Sequence, residues 1–261
     1  MPKDADCLFI NAPMSDISEA ERDTILEYLQ AGGKLILIAG PLQDGTELTN
    51  LEAVMEYYGV TAADGIVVEG SDSNYLFPAP INLLPEYGSH EITSPLSEGG
   101  YYMCLPLAQG LVVGEAPRDT VSVTELLTTS DSAYSKLSGY SMSTYEKEDG
   151  DIDGPFALAV AITETLSDGG ETGVIWVSSA YLLDDSTNAS ISGGNEDFFL
   201  NCVNWLCGSE SGISIHAKSL DAEYLAISSG TSSLLTMLMV GVIPVCFLAA
   251  GIVIWVRRKK R

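Results

Sequence analysis

The sequence predicts an α/β domain with a doubly wound, largely parallel sheet, followed by one C-terminal transmembrane helix. Three observations predict this architecture. The first 40 residues have the pattern of a strand, a capped helix, a glycine stop and a buried strand. Strands and helices alternate again after residue 153, and Leu234–Val256 is a run of 23 residues without a charge. Alternating strands and helices are typical of a parallel sheet with helices on both faces.

The elements of the first third are bounded by clear start and stop signals. An apolar strand over 4–10 ends in a turn, and Ser18 followed by Glu21 has the spacing of a capping box that begins a helix. Gly32 and Gly33 end that helix. The pattern then predicts strands at 34–39 and 65–69, with a helix at 50–58 between them.

The middle of the chain is less regular, because four prolines interrupt residues 70–95. Strands are predicted at 101–113 and 120–128, before a polar stretch at 130–150. The last third of the domain predicts strands at 156–163, 173–179 and 213–217, and an amphipathic helix at 195–207.

Leu234–Val256 has the length of a membrane span. A 23-residue helix is roughly 34 Å long, enough to cross a hydrocarbon core of ~30 Å. Five cations follow at residues 257–261, and basic flanks are retained in the cytoplasm, so the domain is expected outside the cell. The predicted division is a domain at 1–227, a polar linker at 228–233, the span at 234–256 and a basic tail at 257–261.

The N-terminal residues lack the basic and apolar regions of a signal peptide. A chain whose only span lies at its end would leave its front part in the cytoplasm, against the charge rule. We therefore expect this chain to be a fragment, with an upstream signal or span that delivers the domain outward.

The part of the chain before Leu234 is strongly acidic. It holds all 36 acidic residues and seven of the twelve basic ones, a formal charge of −29. Such a surface repels nucleic acid and anionic lipid headgroups. It suits a cationic partner or a solvated acidic surface without a specific partner.

Motifs of catalysis are missing from the sequence. There is no Walker loop, G-x-G-x-x-G, H-E-x-x-H or G-x-S-x-G, and the nearest string to the last runs from Gly139 to Ser143 in a polar stretch. Cys104 lacks a glycine elbow, and the two histidines are His90 and His216. The five cysteines contain no C-x-x-C and imply no disulfide framework. We predict a protein that is not an enzyme.

One acidic string has the spacing of a calcium loop. Asp149, Asp151 and Asp153 precede Gly154 and supply oxygens at positions 1, 3 and 5. Position 12 is Val160 rather than a bidentate glutamate, and the next residues have the pattern of a strand. The string is therefore interpreted either as a calcium turn or as an acidic turn ahead of a strand. No other cofactor is predicted.

Several segments, in order, resemble the extracytoplasmic domain of the GldG family, which is associated with ABC-type transport and gliding motility. They are residues 2–40, His90–Leu96 (HEITSPL), 154–159, 174–179, 195–207, the ISIHAKS segment and the closing span. The resemblance implies a flavodoxin-like or glutamine-amidotransferase-like three-layer domain. The nucleophilic cysteine elbow of the amidotransferases is absent.

The resemblance also implies a function. The family's members are auxiliary, substrate-binding components of bacterial ABC-type transport systems, so the expected partners are a permease, a separate ATPase and the lipid bilayer around Leu234–Val256. The expected location is the bacterial cell membrane, with the domain outside and the C-terminus in the cytoplasm. The alternatives are an amidotransferase- or hydrolase-like enzyme on the same fold and a structural envelope protein.

Overall fold

A computed structural model describes residues 5–208 and 229–259. Its strands are β1 (Leu8–Asn11), β2 (Lys34–Ile38), β3 (Val60–Ala62), β4 (Ile66–Val68), β5 (Asn82–Leu83), β6 (Glu86–Tyr87), β7 (Leu105–Pro106), β8 (Leu111–Val113), β9 (Val121–Thr128), β10 (Tyr134–Lys136), β11 (Ile152–Asp153), β12 (Ala157–Thr165) and β13 (Glu171–Val177). The domain helices are α1 (Glu19–Gln30), α2 (Thr49–Glu56), α3 (Ser94–Gly99), α4 (Asp185–Ser190) and α5 (Gly194–Cys207).

The central sheet is mixed rather than largely parallel. Its order is β1-β2-β13-β12-β8-β3, with β9 also on β12 and β6 on β9. The predicted parallel β1-α1-β2 unit is confirmed, and β13 extends it on the other side of β2. The other pairs are antiparallel, beginning with β12 and β13. These two strands are joined by a short loop over 166–170 with Gly169 at φ 84°, and so short a connection allows only antiparallel pairing.

The third strand predicted in the first βαβ region leaves the central sheet. β4 pairs with β10 in a separate three-stranded sheet that also contains β11. Gly65, just before β4, allows the close approach, because its φ is 95° and a Cβ there would lie 2.2 Å from the Lys136 carbonyl oxygen. The strand predicted over 101–113 is divided into β7 and β8, with Leu107 at φ 52° between them.

Helices cover both faces of the central sheet. α1 and α2 pack on one face in a cluster that includes Leu35 and Leu37, while α5 packs on the other face in a cluster that includes Ile36 and Ile38. This alternation along β2 confirms the prediction of a strand buried on both sides. The capping box at Ser18 is also confirmed, since Ser18 N donates to Glu21 Oε2 at 2.8 Å.

One helix of the described residues, Gly230–Lys259, is long and apolar enough to cross a membrane. It contains the predicted span, and residues 230–233 of the predicted linker belong to its first turn. A π-helical segment, Met237–Val242, precedes Pro244. Proline lacks an N–H and its ring displaces the preceding turn, which accounts for the irregularity. The predicted strand at 213–217 and His216 lie outside the described residues.

Candidate functional site

A cleft of the domain lies beyond the carboxyl end of β2. Its volume is about 550 Å³. Its walls are residues 40–48, 62, 64–66 and 137–141, together with the side chains of Glu52 and Gln109. Ligands of α/β proteins bind in such crevices at the carboxyl ends of parallel strands. The β1, β2 and β13 strands are parallel here and end at this edge of the sheet.

The loop from β2 to α2 forms the floor of the cleft. Gly40 is required there, because a Cβ would lie 2.7 Å from the Ser178 carbonyl oxygen. Asp44 Oδ1 accepts a hydrogen bond from Thr46 N at 3.0 Å, which closes a tight turn and lowers the pKa of Asp44. This turn shapes the exposed end of the loop.

Asp16, from the loop before α1, caps the start of α2. Its Oδ2 accepts from Asn50 N at 2.8 Å and its Oδ1 from Leu51 N at 3.1 Å. Burial acts to raise the pKa of Asp16, but these backbone donors lower it overall. Local sequence did not indicate this role, since Asp16 lies 34 residues from Asn50. The cap fixes the helix that carries Glu52.

Four carboxylates line the cleft: Asp44, Glu47, Glu52 and Asp64. Among the described residues that line it, none is lysine, arginine or histidine. Glu52 is half-buried, and burial followed by the charges of Glu47, Asp16 and Asp64 raises its pKa. A positive charge placed beside Glu52 would therefore relieve an unfavourable interaction between like charges.

Neutral hydrogen-bonding groups complete the walls. Gln109 N donates to the Ser178 carbonyl oxygen at 3.0 Å, and its Nε2 donates to the Ala63 carbonyl oxygen at 2.9 Å. This orients the side-chain amide at the mouth of the cleft. Tyr140 Oη donates to the Pro41 carbonyl oxygen at 3.1 Å and joins the loop over 137–141 to the floor.

The loop that carries Tyr140 is held by a buried lysine. The Lys136 side chain has no exposed surface, and its Nζ donates to the Glu146 carbonyl oxygen at 2.6 Å and to Glu148 Oε2 at 2.8 Å. Asp151 Oδ2 lies 3.4 Å from the same ammonium. The bond to Glu148 and the interactions with Asp151 raise the pKa of Lys136. The Lys136 ammonium therefore contacts three groups of the loop over 137–151.

The aspartates of the predicted calcium turn lie on this loop. Asp151 is 5% exposed and also accepts from Glu148 N at 2.9 Å, while Asp153, in β11, is paired with Lys147. Burial acts to raise the pKa of Asp151, and the hydrogen bonds from Glu148 N, Leu137 N and Lys136 lower it overall. Within residues 5–208 and 229–259, no group of three His, Cys, Asp or Glu side chains is arranged to hold a metal ion. The calcium turn remains a prediction.

The residues considered for catalysis, Cys104 and His90, each have structural partners. Cys104 is buried, its backbone N donates to Asn195 Oδ1 at 3.0 Å, and burial raises its thiol pKa to about 12. His90 Nδ1 accepts from Ile92 N, its ring packs edge-on against Trp205, and burial lowers its pKa. Neither residue lines the cleft, whereas Ser141 does, without a histidine among the lining residues.

Comparisons with known proteins agree with this architecture. The solved structure titled "mmIFT52 N-terminal domain" is 18% identical to this chain, covers 76% of each chain and superposes with a TM-score of 0.53, a likeness of fold. No curated protein matches the chain significantly. The profile of a family described as "ABC-type uncharacterized transport system" matches residues 1–202. The chain therefore belongs to this family of auxiliary components of ABC-type transport systems, and the GldG placement is consistent with it.

Proposed function

We propose that the protein is a membrane-anchored, non-catalytic component of a bacterial ABC-type transport system, and that its acidic cleft binds a small organic cation. The observation that carries the proposal is the cleft lining, which has four carboxylates and none of the basic side chains that an anion would need. Family membership supplies the transport context.

The cleft suits binding better than chemistry. An activated nucleophile needs a base within hydrogen-bond reach, and Tyr140 Oη donates to the Pro41 carbonyl oxygen rather than to a carboxylate of the cleft. Ammonium or guanidinium groups form charge-assisted hydrogen bonds with carboxylates. Gln109 and Tyr140 provide neutral partners that would orient the rest of the ligand.

The membrane helix supports the proposed orientation. Arg257, Arg258 and Lys259 lie at its end, and Lys259 Nζ lies 5.1 Å from the centre of the Trp255 ring. A basic end with an aromatic residue at the membrane boundary favours a cytoplasmic C-terminus. The acidic domain would then lie outside the cell, next to a permease, with energy supplied by a separate ATPase.

Ligand binding is tested by calorimetry on the full chain in mild detergent. The probes are arginine and spermidine as cations, glucose as a neutral compound and glutamate as an anion. We expect a heat of binding with arginine or spermidine and none with glucose or glutamate. Glu52→Gln should weaken the affinity for the cation by at least about tenfold. Glu56→Gln, on an exposed position of the same helix, is the control and should bind as the unmodified protein does. Equal binding by Glu52→Gln contradicts the proposal.

Partnership is tested separately by purification from native membranes. We expect a permease and an ATPase to be recovered with the protein. Recovery of neither would favour the structural envelope role over the transport role.

A further inference from the structure

The edge strand of the central sheet lies along helix α5. Phe9 of β1 contacts Phe199 of α5, with 5.1 Å between the ring centroids. Cys7 lies two residues earlier, on the same side of the strand, and packs on the same core cluster as Phe199 and Val203. Phe199, Val203 and Cys207 follow at intervals of four residues, so they form one stripe along the helix.

A second contact sets the direction of the helix relative to the strand. Leu8 pairs with Leu35, so Lys34 lies beside Cys7 at the start of the two strands. Lys34 Nζ donates to the Leu206 carbonyl oxygen, in the last turn of α5. Helix α5 therefore runs antiparallel to β1, with its C-terminal end near the start of the strand. This brings Cys207 to the end of the strand where Cys7 lies.

We propose that Cys7 and Cys207 form an intramolecular disulfide when the domain meets a low-molecular-weight disulfide such as oxidised glutathione. Both are free thiols in this structure. The Cys207 thiolate attacks one glutathione sulfur and releases the first glutathione thiolate. The Cys7 thiolate then attacks the Cys207 sulfur and releases the second. The protein loses two protons and two electrons, and the glutathione disulfide is reduced to two thiols.

The surroundings of the two sulfurs assign the order of attack. Cys207 is exposed and Cys7 is half-buried. Burial, then the negative charge of the nearby Cys207 thiolate, raises the pKa of Cys7 to about 11; Asp6 acts in the same direction and Lys34 opposes it. Cys207 therefore reacts first, and closure waits for Cys7 to lose its proton. The closure rate should rise with pH between 7 and 9.

The bond would close a ring of roughly 200 residues. A cross-link over so long a loop removes much of the freedom of the unfolded chain. It would also attach the edge strand β1 to the end of α5, from which the chain continues toward the membrane helix. The inference concerns the isolated chain with a supplied oxidant, so it does not depend on the proposed ligand or orientation.

The test uses the full chain in mild detergent, incubated with oxidised glutathione, alkylated and digested for mass spectrometry without reduction. We expect a peptide pair linked through Cys7 and Cys207 and a Tm several degrees above that of the reduced protein. Cys207→Ser and Cys7→Ser should each lose the link and the shift, while the control Cys246→Ser keeps both.

Two results would overturn the inference. In the first, Cys207 of the folded protein stays bound to glutathione at pH 9 and forms no bond with Cys7. The other is Cys207 joined to Cys207 of a second copy.

Discussion

The buried ammonium of Lys136 lies 2.8 Å from Glu148 Oε2, on the opposite end of the loop that forms one wall of the cleft. The loop leaves β10 at Leu137, lines the cleft through Ser141 and returns to Lys136 at Glu146. A single cation therefore holds both ends of a wall whose own residues have no strand or long helix over 137–151.

Replacing this cation should destabilise the protein and the cleft together. Lys136→Met leaves the buried Asp151 carboxylate without its partner, and breaking a buried pair on one side is strongly destabilising. We expect Tm to fall by about 5–10 °C. Lys147→Met, which breaks the exposed pair with Asp153, is the control and should change Tm by less than ~2 °C. Similar effects of the two substitutions would refute the assigned role of Lys136.

The cap of α2 gives a second stability prediction. Asp16→Ala removes the acceptors of Asn50 N and Leu51 N, and loss of a helix cap costs about 1–2 kcal/mol. Because the pKa of Asp16 is lowered on folding, its contribution is present above its unfolded pKa and is lost as pH falls through the folded value. Urea denaturation at pH 7 and at pH 3 measures both effects. Asp23→Ala, in an exposed pair with Arg22, should cost under ~1 kcal/mol.

The ionised Glu52 carboxylate should lower the stability of the fold while it contributes to cation binding. Its pKa is raised on folding, so the folded protein holds the proton more tightly, and stability falls as pH rises from the unfolded pKa through the folded one. Glu52→Gln removes this penalty. We expect a slightly higher Tm than the unmodified protein at pH 7 and no difference at pH 4, together with loss of cation binding. A lower Tm at pH 7 would show that the ionised carboxylate is stabilising.

The aspartate turn makes a prediction about calcium. If Asp149, Asp151 and Asp153 bind the ion, millimolar calcium raises Tm and a chelator reverses the rise. Asp149→Asn should abolish the shift, whereas Asp168→Asn, in the exposed loop after β12, should not. An unchanged Tm at millimolar calcium removes the calcium site.

The orientation predicts which cysteines are labelled in intact cells. In a Cys7→Ser background, a membrane-impermeant maleimide should react with the exposed Cys207. An added Arg261→Cys on the basic tail should react only after the membrane is permeabilised. The reverse pattern would place the acidic domain in the cytoplasm and refute the transport arrangement.

Elements with strong local signals were predicted well. The capping box at Ser18, the buried strand β2, the long strand β12 and helix α5 were each found within a few residues of their predicted bounds. Hydrophobic periodicity and caps are properties of neighbouring residues, so the sequence displays them directly. The resemblance to a family also predicted the helices on both faces of the sheet and the membership in the transport family.

A strongly acidic α/β domain, a membrane-length helix and the lack of familiar catalytic motifs follow from the order of the amino acids alone. The folded chain was needed to show that β4 leaves the central sheet, that Asp16 caps a helix 34 residues away, and that Gln109 and Tyr140 line one cleft with Glu52. Such contacts join residues far apart in the chain, and their free energy depends on burial and partners that arise only when the sheets pack together.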